Sequence, residues 1–510
     1  LWLPLLDPDR MTTATMLSLL AFERPIIDWH AAAPDMAVLA FAALLITLDV
    51  VFLERGRKFM AGLAGLGLLV ALVPVLTLAV DGTDRVMFGG AYVVDDFALL
   101  MKALFLITGY VVVLMSTNYV AEGDFWESEY YSLLLASILG MTMMASARDL
   151  VSIFLALELL SMPTYMLAGW RKRSLESNEA GIKYFLMGVF ASGIMLYGMS
   201  LIFGAAGDTR LSVIGDAVAA GKSIPLVTLG VVFTLIGFAF KVSAVPFHAW
   251  APDVYQGAPT PITAFLAVAS KTAGFVALLM LVFVGFYGRD DVYQPLFWVL
   301  AVVSMTAGNT MALRQTNIVR MLAYSGIAQA GYMMAALAVA GDVGDRALQA
   351  IAIYLVIYAG MNLGAFAVVI AVARKTRSGE ISSYGGLFNY APGLSVVMMI
   401  FMFSLAGIPP FAGWYGKLAV FKATVEADNF VGYSLAIAVA INSVIALFYY
   451  ANVAREMFMN DVPDGDTSRI RVPFSLVAAL AIGVVVTVGL GVFPEAVARV
   501  TEVSLLAAGS

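Results

Sequence analysis

Apolar runs of about 18 residues or more, each able to carry a helix across roughly 30 Å of hydrocarbon, recur along nearly the whole chain. About fourteen are legible, at 34–53, 59–80, 95–119, 129–146, 149–170, 182–204, 225–250, 262–287, 295–313, 318–339, 347–373, 393–424, 430–457 and 472–494. No connection between them is long enough to fold as a soluble domain. With 61% hydrophobic and 13% charged residues among 510, the chain lies well outside the soluble range, where about a quarter of residues are charged. The fold class is therefore all-α, a polytopic membrane protein, and its chemistry takes place inside the bilayer.

The absent residues narrow the function. Without a cysteine the chain holds no iron–sulfur cluster, thiolate metal site or disulfide. Two histidines, His30 and His248, leave little for a bis-histidine haem, and no G-x-x-x-x-G-K-[ST] loop is present to hold ATP. Energy must come from a partner or an ion gradient. Connections after odd-numbered spans, with their flanking turns, carry about fifteen Lys/Arg, including Arg55-Gly-Arg57-Lys58, Arg171-Lys172-Arg173 and Arg374-Lys375-Thr-Arg377; those after even-numbered spans carry about seven. The positive-inside rule then puts both termini on the outer side. The first ten residues, L-W-L-P-L-L-D-P-D-R, lack the basic stretch and apolar core of a cleaved leader.

Of 29 Lys/Arg, the connections take about 22 and the terminal segments three, Arg10, Arg24 and Arg499. Four lysines remain inside spans: Lys102, Lys241, Lys271 and Lys417. A charge at the bilayer centre costs about 2.5–3.5 kcal/mol on insertion scales, so such residues face the bundle interior and mark ion or substrate paths. Lys102 lies a turn or two into its span behind Asp95 and Asp96, where it can snorkel to the interface or pair; we set it aside. Lys271 is too deep for easy snorkelling. Lys241 stands five residues before Pro246 in K-V-S-A-V-P-F-H-A-W, and Lys417 seven residues after Pro410 in I-P-P-F-A-G-W-Y-G-K. Proline removes an amide donor and breaks the helix, and the freed carbonyls must then face protein or water. Glu158, in the middle of its span, supplies an opposite charge that holds a neighbouring lysine's proton when the two are close. His248, two residues past Pro246, reads either as a wetted helix cap or as a relay between lysines.

The two P-F-x-x-W breaks, near 241–250 and 406–414, fall in spans 7 and 12. Five-span units at 129–290 and 291–457 each place the broken helix fourth, and because five is odd the second inserts inverted relative to the first. Residues 1–128 precede them and 458–510 follow. Paired interrupted helices at corresponding positions point to a transport pathway, here two half-pathways that open to opposite sides.

The stretch P-F-H-A-W-A-P-D-V-Y-Q-G-A-P-T-P-I-T-A-F-L-A-V-A-S-K, Pro246 to Lys271, closely resembles the signature of the antiporter-like subunit N of bacterial proton-pumping NADH:quinone oxidoreductase, respiratory complex I. L-E-L-L-S-M-P-T-Y from Leu157, K-Y-F-L-M-G-V-F-A-S-G-I-M-L-Y-G from Lys183 and L-A-G-I-P-P-F-A-G-W-Y-G-K from Leu405 extend the resemblance over about residues 95–457. The resemblance implies fourteen helices with inverted repeats of five. It also implies that Glu158, Lys241, Lys271 and Lys417 are the functional charges, the first two as a pair. NADH oxidation and quinone reduction would belong to other subunits, with no cofactor or redox centre on this chain.

The expected function is a proton relay through Glu158, Lys241, Lys271, His248 and Lys417, aided by hydroxyls such as Ser270 and by water, and biased by quinone reduction elsewhere. Expected partners are other membrane-arm subunits, lipids, protons and water, with no nucleic acid, in a bacterial inner membrane. Two other readings stay open: a subunit of a multi-subunit cation/proton antiporter, and a passive structural membrane subunit.

Overall fold

The computed structural model describes residues 27–52, 59–123, 127–221 and 223–505. The first ten residues read for a leader, Arg10 and Arg24, and the basic run Arg55-Gly-Arg57-Lys58 lie outside the described residues.

Lipid offers no water to a free amide or carbonyl, so apolar segments satisfy their backbone internally as helices. The chain opens with α1 (Trp29–Phe52) and α2 (Met60–Asp81). A short antiparallel hairpin, β1 (Arg85–Met87) and β2 (Tyr92–Val94), pairs Met87 with Tyr92. It is a local feature that the all-α reading did not include. Next come α3 (Asp96–Ala121), α4 (Glu127–Ser146), α5 (Leu150–Ala168), α6 (Leu175–Ala206) and the short α7 (Leu211–Ala219). Polar residues just outside the apolar runs start several of these. Asp95 accepts from the Ala98 amide, Asp149 from Val151 and Ser152, and Ser174 from Ser177, satisfying donors that a helix N-terminus leaves open.

The interrupted helices follow from proline and glycine. α8 (Ile224–Lys241) stops at its lysine, the chain runs without regular helix through Ser243 (φ 61°) and Pro246, and α9 (Trp250–Gly257) resumes. α10 (Thr260–Gly285) is continuous but contains π-helical turns at Leu266–Ser270 and Leu281–Gly285. α11 (Asp290–Ala312), α12 (Ile318–Leu337) and α13 (Asp345–Thr376) lead to the second break. There α14 (Pro392–Ala406) ends on Gly407 at φ 91°, and α15 (Gly413–Glu426) begins beyond Pro409 and Pro410. α16 (Phe430–Met459), α17 (Phe474–Val492) and α18 (Pro494–Val500) complete the chain.

Among the described residues, eleven helices are long and apolar enough to cross a membrane. The other three expected spans fall on α4, α12 and the interrupted pair α14 and α15. α10 and α13 are the most deeply buried of the eleven. Around them, α2 and α6 turn Leu69, Val73, Leu76, Phe185 and Phe190 outward, as a lipid-facing ring requires. α17 packs close to α13, where a Cβ at Gly483 would stand 3.1 Å from the Gly364 Cα; small residues permit such approaches where lipid supplies no hydrophobic drive.

Lys102 does not reach the interface. It is fully buried on α3, its Nζ 3.0 and 3.1 Å from the two Asp35 carboxylate oxygens of α1 and 2.7 Å from the Tyr92 hydroxyl. Of the two readings, snorkelling or pairing, the structure selects pairing, because a carboxylate 67 residues away in sequence is carried to it by α1.

Candidate functional site

Lys241 closes α8 immediately before the first break and is 4% exposed. Its Nζ donates to Ser161 Oγ on α5 at 2.8 Å and to Tyr184 OH on α6 at 3.5 Å. Gly274 on α10 makes room for its stem, since a Cβ there would meet Lys241 Cγ at 3.2 Å. Trp250, the first residue of α9, donates from Nε1 to the Phe240 carbonyl at 3.1 Å and stacks on Tyr184 at 4.6 Å. The Phe240 carbonyl also accepts from the Ser243 amide at 3.0 Å, so the indole is its second donor at the break.

Glu158 is half-buried on α5 and accepts from Ser192 Oγ of α6 at 2.7 Å. Among the described residues no ion pair joins it to Lys241. Ser161, which receives the Lys241 ammonium, lies three residues beyond Glu158 on the same helix, so the two charges attach to adjacent turns. The two charges that the resemblance pairs are here each bonded to a separate serine, Glu158 to Ser192 and Lys241 to Ser161. His248 sits in the break, half-buried, with Nδ1 buried and, among the described residues, without a hydrogen-bond partner. Among the described residues no hydrogen bond connects its ring to Lys241 or Lys271.

Lys271 follows the π-helical turn Leu266–Ser270 and is 2% exposed. Its Nζ donates to the Gly326 carbonyl of α12 at 2.6 Å. A Cβ on Gly326 would lie 3.1 Å from both Lys271 Nζ and the Tyr358 hydroxyl of α13; the missing side chain lets all three meet. Lys417, on α15 beyond the second break, donates to the Ala406 carbonyl at 2.7 Å and lies 4.8 Å from the Tyr332 ring centroid, a cation–π distance.

Between Lys271 and Lys417 runs a buried polar seam. Ser325 of α12 bonds Tyr450 of α16 at 2.5 Å. Gln329, one turn further along α12, donates to Tyr450 OH and to the Leu405 carbonyl, each at 3.2 Å, and accepts from Tyr354 OH of α13. Leu405 precedes Ala406, the acceptor of Lys417. Asn362 donates to Tyr358 at 3.1 Å. Sequence reasoning missed Ser325, Gln329, Tyr354, Tyr358 and Tyr450. The available signal was spacing, because Ser325 and Gln329, and likewise Tyr354, Tyr358 and Asn362, recur every four residues and so share a helix face.

The lysines divide by partner. Lys102 faces a carboxylate, whereas among the described residues Lys241, Lys271 and Lys417 form no ion pair and are held by hydroxyls, carbonyls and rings. A carboxylate partner neutralises a buried ammonium with an opposite charge; neutral oxygens orient it and supply no counter-charge. Six buried side-chain atoms without hydrogen-bond partners among the described residues cluster in sequence around the first two lysines of this group: Thr234 Oγ1, Ser243 Oγ, His248 Nδ1, Tyr255 OH, Ser270 Oγ and Thr272 Oγ1.

Comparison with known proteins adds an independent line. Residues 147–445 match the family described as NADH:quinone oxidoreductase/Mrp antiporter, TM. The chain is 37% identical to NADH-quinone oxidoreductase subunit N 1 of Koribacter versatilis, over 94% of this chain and 96% of the relative. A chain in the structure of respiratory complex I from Thermus thermophilus with bound Aureothin superposes with a TM-score of 0.77 at 31% identity, covering 92% of this chain and all of that one. A chain of the Mrp complex from Dietzia sp. DQ12-45-1b has a TM-score of 0.81 at 21% identity, with 93% and 97% covered, a likeness of fold.

Proposed function

The chain belongs to the NADH:quinone oxidoreductase/Mrp antiporter family of membrane subunits, as a subunit N of NADH-quinone oxidoreductase, and on that premise we propose that it moves protons through Lys241, Lys271 and Lys417. The observation that carries the reading is the partnering of these three buried lysines by neutral oxygens alone, with a hydrogen-bonded stretch from Ser325 through Tyr450 and Gln329 to the Leu405 carbonyl whose two ends are the sequence neighbours of the Lys271 and Lys417 acceptors, Gly326 and Ala406.

In this reading Glu158 acts on Lys241 through Ser161 and Ser192. With the carboxylate ionised nearby, the Lys241 ammonium keeps its proton; when the carboxylate is neutralised or displaced, the proton passes toward Lys271. Ser243, His248, Ser270 and Thr272 offer unpartnered polar atoms for water along this segment. From Lys271 the proton passes by water and the hydroxyls of Ser325 and Tyr450, past Gln329, to Lys417, which the Ala406 carbonyl orients. The units 129–290 and 291–457 supply one half-route each, in inverted orientation, with 1–128 and 458–510 flanking them. Quinone reduction in other subunits drives the switch, no redox centre or cofactor resides on this chain, and both termini face the outer side of the bacterial inner membrane. Contacts to neighbouring membrane-arm subunits, lipids and water complete the setting.

The test uses the intact oxidoreductase reconstituted in vesicles. Lys241→Ala and Glu158→Ala assemble and lower protons pumped per electron; undiminished pumping in both would remove these residues from the route. Lys271→Arg keeps the charge but does not readily release a proton, so normal pumping in that variant would exclude Lys271 as a relay. Copurification with cation/proton antiporter subunits in place of quinone-reductase subunits would favour the antiporter reading, which the shared fold supports.

A further inference from the structure

At the far end of α9 lies a charged mouth that the relay does not use. Asp253 accepts from Lys183 Nζ of α6 at 2.9 Å through one oxygen and from Arg320 Nη1 of α12 at 2.9 Å through the other. Arg320 donates also to Gln256 Oε1, one turn further along α9, at 3.0 Å. With Glu176 and Glu179 these side chains line a cavity of about 200 Å3. Asp253, Lys183 and Arg320 are 38%, 40% and 29% exposed, and ion pairs this wet add little to stability. Their effect is on position.

Position matters here because α9 is only eight residues long and is cut from α8 by the break at 242–249. Two rungs tie it to α6. Asp253 meets Lys183; Trp250, one turn earlier on α9, stacks on Tyr184, the residue after Lys183. The Tyr184 hydroxyl is in turn 3.5 Å from the Lys241 ammonium. In the second P-F-x-x-W stretch the residue at the same offset from its tryptophan is Lys417, so both breaks place a charge one turn past the tryptophan.

We propose that Asp253 is a positioning residue: by clamping α9 between α6 and α12 it keeps Trp250 stacked on Tyr184 and sets the surroundings of Lys241. The link to pumping rests on the reading of Lys241 given above. The clamp itself does not.

Two measurements on the intact oxidoreductase separate these claims: amide hydrogen exchange across residues 250–258, and protons pumped per electron. Asp253→Asn is expected to accelerate exchange by about two- to fivefold and to lower pumping while NADH oxidation continues, and Asp253→Glu to restore both. Should Asp253→Asn fail to assemble, a variant carrying Lys183→Gln and Arg320→Gln removes the same clamp from the other side. Unchanged exchange in these variants would overturn the proposal. Accelerated exchange with undiminished pumping would support the clamp and count against Lys241 as a relay.

Discussion

Lys417 Nζ donates to the carbonyl of Ala406 at 2.7 Å, and Ala406 is the last residue of α14 before the second break. A helix end without a continuing turn leaves carbonyls open, and in the bilayer each needs a donor. A cation that serves one of them satisfies the backbone without acquiring a fixed counter-charge.

Gly407 makes that contact possible, with φ 91° and a hypothetical Cβ only 2.8 Å from Lys417 Cδ. Gly407→Ala is therefore expected to destabilise the second break by about 1–3 kcal/mol through the left-handed backbone alone, and to displace Lys417. Thermal unfolding of the purified oxidoreductase and its pumping stoichiometry should both fall.

Gly326→Ala tests the meeting point of Lys271 and Tyr358. The added methyl would stand 3.1 Å from both polar atoms, replacing part of their shared surroundings with an apolar group. We expect an assembled enzyme with slower proton transfer; pumping at the wild-type rate would show that this approach is not used.

Gln329 joins Tyr354, Tyr450 and the Leu405 carbonyl. Gln329→Leu leaves the Tyr354 hydroxyl and the Leu405 carbonyl without this partner, at about 1–3 kcal/mol for each buried orphan, while Tyr450 keeps its bond to Ser325, so the melting temperature should drop. Adding Tyr354→Phe removes one of the orphans and should recover part of the stability without recovering proton transfer. Recovery of both would make the seam structural.

Asp35→Asn addresses Lys102. Breaking a buried ion pair by removing one partner costs about 3–5 kcal/mol, whereas replacing both partners by apolar residues is often neutral. Asp35→Asn should impair assembly, and a variant with Asp35→Leu and Lys102→Leu should restore it with normal protons pumped per electron. Lost pumping in the restored variant would move Lys102 from scaffold to pathway.

Much of the architecture was open to reading from local pattern. The expected span at 225–250 contains α8, its break and the start of α9, and that at 393–424 contains α14, the break at Gly407 and α15. Proline and the length of an apolar run act within a few turns, so they register in any short window. The hairpin at Arg85–Val94 was missed because it is three residues to a strand and lies in a connection. The seam was missed because a tyrosine or glutamine on an apolar helix has the same local appearance whether it faces lipid or a lysine.

The sequence by itself determined that this chain lies in the bilayer, where its helices break, and that four lysines stand inside spans at a cost that demands a reason. The tertiary structure alone decided which of them has a carboxylate. Asp35 reaches Lys102 across 67 residues, Ser161 reaches Lys241 across 80, and Gly326 reaches Lys271 across 55. Burial of a charge depends on the helix that carries it; whether it meets a counter-charge or a neutral oxygen depends on what packing brings from another helix.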